Sequence, residues 1–508
     1  MMILQPIIVL LGAAAIIPLI DLLGKKIGFE KIRDIVAIAA FLIAFIILYS
    51  FFGNLPQSFT IDPYGPPLGV ELRVDNLSLY MAIIFCGLGL LVSIYSIKYM
   101  EVDSGLDKYY SLLLILVAGM IGVAFSNDFF NLYVFWEMMC VASYTLVSFR
   151  KYKWEPVEAG FKYLVMSTIG SLISLYGISL LYGLVGSLNF TKLHSAIETI
   201  YGNGSAPLSL LYLVICMIIV GFGVTAAMVP LHTWLPDAHP AAPSSISAML
   251  SGVVIKTGVY AMFRSLFTIF HPKIFDFGTI LMLFGVLTIT IANFMALMQK
   301  DIKRLLAYSS IVNIGYILVG GGIGAYVLTH YGLKEASIAG IAIIGSLLHI
   351  LNHAISKGLL FLCSGCFTHE AKTRAISKLE GIGKKMPLSG LSLSIGLFNL
   401  AGIPPLSGFW SKLFIILASL SIPENNFMLA ISIIVILNSI FAASYYLWLT
   451  QRIMLKKPTE IVEKVHEAPL SMVFPIIVLA ILCILITIKL DLFIKIVELA
   501  SNNLLGGV

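Results

Sequence analysis

Apolar runs of about twenty residues recur along the whole chain, separated by short polar stretches that carry most of the charge. An α-helix rises 1.5 Å per residue, so a run of about 20 apolar residues crosses a hydrocarbon core. On that criterion the pattern predicts about fourteen membrane-spanning helices. They fall at roughly 2–23, 34–52, 74–97, 109–126, 128–149, 159–186, 207–229, 241–268, 276–298, 305–328, 336–367, 386–418, 427–451 and 469–497. The fold class expected is an all-α polytopic membrane protein. The longest polar connections, 53–73, 187–206, 369–385 and 452–468, leave no stretch that reads as a soluble domain. The basic segment 370–385 is helix-compatible and is expected along the membrane interface. The first run lacks a basic head and a small-residue cleavage site, so it is expected to be a retained span and not a signal peptide. The sequence ends soon after the last span, at Gly506-Gly507-Val508, which is expected to disfavour a role that needs a lateral C-terminal helix.

Two interruptions break the apolar pattern. One is Val229-Pro230-Leu231-His232-Thr233-Trp234-Leu235-Pro236-Asp237-Ala238-His239-Pro240, and the other is Ala401-Gly402-Ile403-Pro404-Pro405-Leu406-Ser407-Gly408. Proline removes a backbone donor, so each segment must bend or break a helix at or near membrane depth. Broken segments at corresponding places in two halves point to an inverted-repeat transporter. Here they lie in spans seven and twelve, five apart, which fits two inverted five-helix repeats with helices 7 and 12 broken. The expected organisation is one membrane domain. Residues 1–105 hold helices 1–3, 106–270 the first repeat (helices 4–8), 271–455 the second (helices 9–13), and 456–508 the final helix.

Composition agrees: 59% of the 508 residues are hydrophobic and only 11% charged, far too little charge to solvate a soluble protein of this length. The net charge of +6 does not imply a nucleic-acid partner, because its placement follows topology. Most lysines and arginines lie in loops after odd-numbered spans, among them Lys25, Lys26, Arg150, Lys151, Lys300, Lys303, Arg304, Arg374 and Lys457. Positive loops face the cytoplasm, so both termini are expected on the outer side of the cell membrane. The 6 cysteines all lie in apolar spans, and Cys363-x-x-Cys366 has no second pair to complete a cluster or zinc set. No dinucleotide fingerprint is present either. No cofactor is expected in this chain, nor redox chemistry of its own.

An ionisable group inside a span costs roughly 2.5–3.5 kcal/mol on insertion scales, so each needs a reason. Glu137 lies about a third of the way into the fifth span, where burial and a nearby cation act on its proton in opposite directions. It reads either as a proton carrier or as half of a structural pair, with Lys162 the partner. Lys256 follows the first interruption and Lys412 the second. Each reads as a switchable charge or as a side chain that snorkels to an interface. His349, His353 and Lys357 recur every four residues and so stack on one helix face about 6 Å apart. Bridged by water, they would form a proton wire; the alternative is a pair of histidines satisfied within the core. That face carries no carboxylate or third histidine for a metal. His232, Asp237 and His239 flank the first interruption, either lining an access route or capping the broken ends. Gln299 to Arg304 reads as a short structural turn.

Phe135-Trp136-Glu137, Pro230 to His239, Ala242-Pro243-Ser244-Ser245-Ile246-Ser247-Ala248, Asp301 to Ser310 and the helix through His353 and Lys357 resemble the antiporter-like subunit family. It includes the pumping subunits of respiratory complex I, the A-type and D-type subunits of Mrp Na+/H+ antiporters, and counterparts in membrane-bound hydrogenase and sulfur-reductase complexes. The resemblance runs from about the third span to the thirteenth. It implies fourteen helices, two inverted repeats and a polar axis along the midplane that carries H+ or Na+. By motif, the family's path residues correspond to Glu137, Lys256, Lys357 and Lys412. The family's seventh-helix lysine, partner of the fifth-helix glutamate, falls on Thr225, which puts the first half-channel in doubt. The implied role is the ion-translocating subunit of a complex I-related redox complex. Its partners would be other membrane subunits, further antiporter-like ones among them, and peripheral subunits carrying iron–sulfur clusters, with nickel where the complex is a hydrogenase. The local form Pro236 to Ser247 looks most like the hydrogenase or sulfur-reductase branch. Two other readings are a D-type Mrp subunit or a structural subunit impaired in transport.

Overall fold

The computed structural model describes residues 2–60, 70–204, 207–422 and 425–506, apart from the side chain of Leu333. Residues 61–69 of the first long connection, 205–206 of the second, and the Gly507-Val508 end lie outside the described residues. The chain is helical nearly throughout. In order come α1 (Gln5–Ile27), α2 (Ile32–Ser50), α3 (Asn76–Tyr99), α4 (Leu106–Phe125), α5 (Phe129–Val147), α6 (Trp154–Val185), α7 (Phe190–Gly202) and α8 (Leu208–Thr225). Then follow α9 (Leu235–Ala241), α10 (Ser244–Met249), α11 (Ile255–Ile269), α12 (Gly278–Leu297), α13 (Ile302–Tyr331) and α14 (Ala336–Ala371). The last set is α15 (Pro387–Ala401), α16 (Ser407–Leu420), α17 (Asn426–Thr450), α18 (Glu460–Glu463), α19 (Leu470–Ile488) and α20 (Leu490–Leu504). A short antiparallel hairpin, β1 (Gln57–Thr60) and β2 (Glu71–Val74), pairs Gln57 with Val74 between α2 and α3.

Among the described residues, 13 helical segments are long and apolar enough to cross a membrane, and α15 and α16 are two shorter apolar helices. Several spans begin at an acidic or amide cap. Asp75 accepts from the Ser78 amide in a capping box, Asp128 from Asn131, Asp301 from Lys303 and Arg304, and Asn425 from Met428. Each satisfies a backbone donor that a helix start leaves open, which fixes where the span begins.

Three expectations need correction. The final apolar run is two helices, because the backbone turns at Lys489 and α20 packs back against α3 and α14. Past the end of α14 at Ala371, segment 370–385 holds only two single-turn 3-10 pieces, 376–378 and 382–384, and not an interfacial helix. The connection 187–206 holds an unforeseen helix, α7, capped by Asn189 and burying Phe190, Leu193 and Ile197.

The centre is built from α10, α11 and α13, which are almost wholly enclosed, and from α14, which packs on α13, α15, α16 and α19. Around them α1, α2, α6, α12 and α17 present exposed apolar side chains such as Leu19, Ile46, Phe161, Phe294 and Ile440. In a membrane chain that outer surface meets lipid or neighbouring subunits, and the polar residues are inside.

Candidate ion-translocation axis

The irregular backbone positions most of the site. After Thr225 the chain leaves the helix, passes Ala227 at φ 55, and becomes helical again at Leu235. Between α10 and α11, residues Leu250–Val254 form a π-helical turn, a distortion common at functional sites because it frees carbonyls from the regular ladder. α15 ends at Ala401, Gly402 adopts φ 77, and α16 starts at Ser407. Gly408 is needed there: a Cβ would collide with the Asn399 carbonyl, whose own side chain accepts from the Gly408 amide at 2.7 Å.

Three lysines predicted for the path dock on backbone carbonyls of neighbouring elements. Lys256, 1% exposed, donates to the Ser251 carbonyl inside the π turn. Lys412 donates to the Leu400 carbonyl at 2.8 Å, one of the acceptors left open where α15 ends, and to Ser439 Oγ at 3.2 Å. Lys357 donates to the Leu306 carbonyl at 2.9 Å and to Ser309 Oγ. Among the described residues, no carboxylate pairs with any of them. Each amine is therefore held by dipoles and not by a fixed counter-charge.

Hydroxyls and rings connect them. Ser251 Oγ lies 2.6 Å from Ser310 Oγ, and Ser310 donates to the same Leu306 carbonyl that holds Lys357. This joins Lys256 to Lys357 across one turn of α13. One and two turns back along α14 from Lys357, the rings of His353 and His349 lie nearly parallel, 6.4 Å apart. His349 fills both ring nitrogens, with Ser411 Oγ at 2.9 Å and Asn313 Oδ1 at 3.0 Å. His353 is fully buried with neither nitrogen hydrogen-bonded. Tyr316 touches the His349 ring edge-on at 5.7 Å and carries Lys412 Nζ over its face at 4.8 Å. Lys256, Lys357, His353, His349 and Lys412 thus form one buried row.

The remaining candidates separate. Glu137 on α5 is half-buried with one carboxylate oxygen enclosed and unpartnered, and Tyr133 lies beside it. Cys140, one turn on, faces the hydroxyls of Ser167 and Thr225. The expected pairing of Glu137 with Lys162 is not formed. Lys162 is about half exposed and bridges Glu158 at 2.9 Å and Asp237 at 3.1 Å, because its position on α6 turns toward the charged surface. Asp237 also holds Arg304 at 2.8 Å. His232 is partly exposed, whereas His239 is enclosed, stacked at 4.5 Å on Phe361, with both ring nitrogens free.

Several polar residues of this interior are not evident from the sequence pattern. Lys303 reads as part of a surface turn, but α13 begins at Ile302 and buries it, with its amine 2.7 Å from the Ala242 carbonyl. Ser309, Ser310 and Asn313 were missed as well, and their i, i+3 and i+4 spacing within an apolar helix is the signal that could have found them. Arg264 on α11 forms a buried pair with Asp75 at 2.6 Å, although one looks like a span end and the other a mere cap.

A polytopic helical fold enclosing a row of lysines and histidines defines the antiporter-like class of membrane subunits. The chain belongs to that family. Residues 126–438 match the family model described as "NADH:quinone oxidoreductase/Mrp antiporter, TM", and residues 59–110 that for "NADH-Ubiquinone oxidoreductase (complex I), chain 5 N-terminus". It is 30% identical to NADH-quinone oxidoreductase subunit N of Desulforudis audaxviator over 84% of this chain and 83% of that one. Identity to F(420)H(2) dehydrogenase subunit N of Methanosarcina mazei is 31%, over 78% of this chain and 77% of the relative. In a solved structure of the membrane-bound sulfane sulfur reductase, an archaeal respiratory membrane complex, a chain 30% identical superposes with a TM-score of 0.85 over 99% of this chain and 97% of its own.

Proposed function

We propose that this chain is the ion-translocating membrane subunit of a complex I-related redox complex, and that the ion moved along its buried row, from the end of the first repeat through the second, is the proton. The observation that carries this is the buried row from Lys256 through Lys357, His353 and His349 to Lys412. A hard metal cation takes oxygen ligands and negative charge, whereas this row offers amines and imidazoles held by dipoles. Protons suit such groups and Na+ does not. Electron transfer would take place in partner subunits holding iron–sulfur clusters, with nickel if the complex is a hydrogenase. Moving one charge against 100 mV costs roughly 2.3 kcal/mol, within reach of a redox step. The location proposed is the cell membrane, and the basic loops support an orientation with both termini outside. A division into inverted repeats at 106–270 and 271–455 is supported by the non-helical stretches after α8 and α15.

Mild-detergent purification from native membranes, with subunit masses, iron and nickel determined together, tests the assignment. Co-purifying iron–sulfur proteins are expected. Small hydrophobic partners without iron would leave a D-type Mrp antiporter component instead.

A second reading concerns the first half alone. The unpartnered Glu137 oxygen and the uncharged Thr225 hydroxyl leave that half without the lysine that would partner Glu137, although Lys256 lies at its end, so it would translocate poorly. Introducing the missing amine with Thr225→Lys is expected to raise the number of protons moved per electron pair, measured in sealed vesicles. An unchanged ratio would count against an impaired first half.

A further inference from the structure

The side of the molecule that carries the basic loops contains a cavity of about 610 Å³, lined by Tyr99, Arg150, Glu155, His369 and Arg374, with Lys303 among its walls. Lys303 is 3% exposed, so it does not sit in bulk water. Arg150 is anchored to Asp103 at 2.8 Å and Arg374 to Glu155 at 2.9 Å and Asp301 at 3.2 Å, so both cations are engaged by carboxylates. Burial opposes the Arg150 charge, but Tyr99 and Asp103 outweigh it and hold the guanidinium above its ordinary range. The charged groups facing Lys303 are Arg150, Arg374, Asp301 and Glu155, none of which forms an ion pair with its amine.

Lys303 is instead docked like the lysines of the central row. Its amine reaches the Ala242 carbonyl at 2.7 Å and the His239 carbonyl at 3.3 Å, where α9 ends, and Ser247 Oγ at 3.4 Å. Ser247 and Ser251 are four residues apart, about one turn or 6 Å, and a proton route through both needs one water between them. Ser251 is the residue whose carbonyl holds Lys256 and whose hydroxyl meets Ser310. All three serines are fully buried.

We infer that Lys303 is a proton-relay residue joining this cavity to the central row through Ser247 and Ser251. The inference rests on the proton-translocation reading above and adds a residue and a route to it. Neutral Lys303 takes a proton from water in the cavity. It passes one to Ser247 Oγ as that hydroxyl, which rests donating to the His239 carbonyl at 2.9 Å, turns to hand its own proton toward Ser251. Each transfer forms one N–H or O–H bond and breaks another, and no electron moves.

The test compares Lys303→Met, Lys303→Arg and Lys357→Met in the intact complex, with proton uptake by sealed native vesicles and redox turnover measured together. Arginine keeps the charge and can make the carbonyl contacts but does not deprotonate. Both Lys303 variants are therefore expected to lose at least about tenfold in proton uptake while the complex still assembles. Full uptake in Lys303→Arg would reduce Lys303 to a structural anchor and overturn the relay. Normal uptake in Lys303→Met with loss in Lys357→Met would overturn the relay but keep the central row. Normal uptake in both would overturn the translocation reading itself. If Lys303→Met fails to assemble, Ser247→Ala interrupts the same route with a smaller change; reduced uptake supports the relay and wild-type uptake overturns it.

Discussion

Replacing Lys357 with methionine is expected to abolish ion translocation while leaving the chain folded and in its complex. Lys357 occupies the joint of the buried row. Its amine shares the Leu306 carbonyl with Ser310 on the side toward Lys256, and His353 lies one turn away on the other side. Methionine has nearly the same length and helix propensity and removes the titratable group. It also removes a buried amine that has no carboxylate partner, so the substitution relieves a desolvation cost and creates no orphaned charge. The Leu306 carbonyl retains Ser310 as a donor. The expected result is at least a tenfold fall in proton uptake, equivalent to about 1.4 kcal/mol or more on the limiting barrier. Pumping within twofold of wild type, in a complex with a normal complement of subunits, would remove Lys357 from the path.

The sequence conveyed the spans and most of this row for one physical reason. A bilayer penalises each buried charge, so Lys256, Lys357 and Lys412 stand out against apolar neighbours as they would not in a soluble protein. The four-residue spacing of His349, His353 and Lys357 likewise survives as stacking on α14. Residues at span ends were harder to read, because a hydropathy pattern places a boundary only within a few residues. Lys303 lies two residues before the predicted start of its span and one residue after the actual start of α13. That small displacement separates a surface lysine from a buried one. The split at Lys489 was hidden because α20 is itself half apolar, and a hydropathy window reads straight through it. The partner of Lys162 could not be read at all. Pairing depends on which way a side chain leaves its helix, and on α6 Lys162 turns toward Glu158 and Asp237, away from Glu137.

The Asp75–Arg264 pair shows how much a residue overlooked at a span end can carry. Asp75 caps α3 in a reciprocal box with Ser78, and its Oδ2 lies 2.6 Å from Arg264 Nη2 with both side chains about 95% or more enclosed. Arg264 belongs to the same α11 face as Lys256 and Tyr260, and Tyr260 ties that face to α4 through the Ala124 carbonyl at 2.6 Å. Asp75→Ala removes the cap, worth about 1 kcal/mol. It also strands a buried guanidinium that cannot shed its proton, a loss of about 3–5 kcal/mol. Together these approach the whole stability of many domains, so the single variant is expected to fall out of the membrane complex or melt far below wild type. The double variant Asp75→Asn with Arg264→Met should recover most of that loss. Asparagine still caps the helix, and the apolar side chain no longer needs a counter-charge. Thermal unfolding of the purified complex, wild type against both variants, decides the matter. If Asp75→Ala melts within a few degrees of wild type, Arg264 has another partner and the pair does not hold α3 to α11. If the double variant is as unstable as the single one, the loss comes from the missing contact and not from the stranded charge.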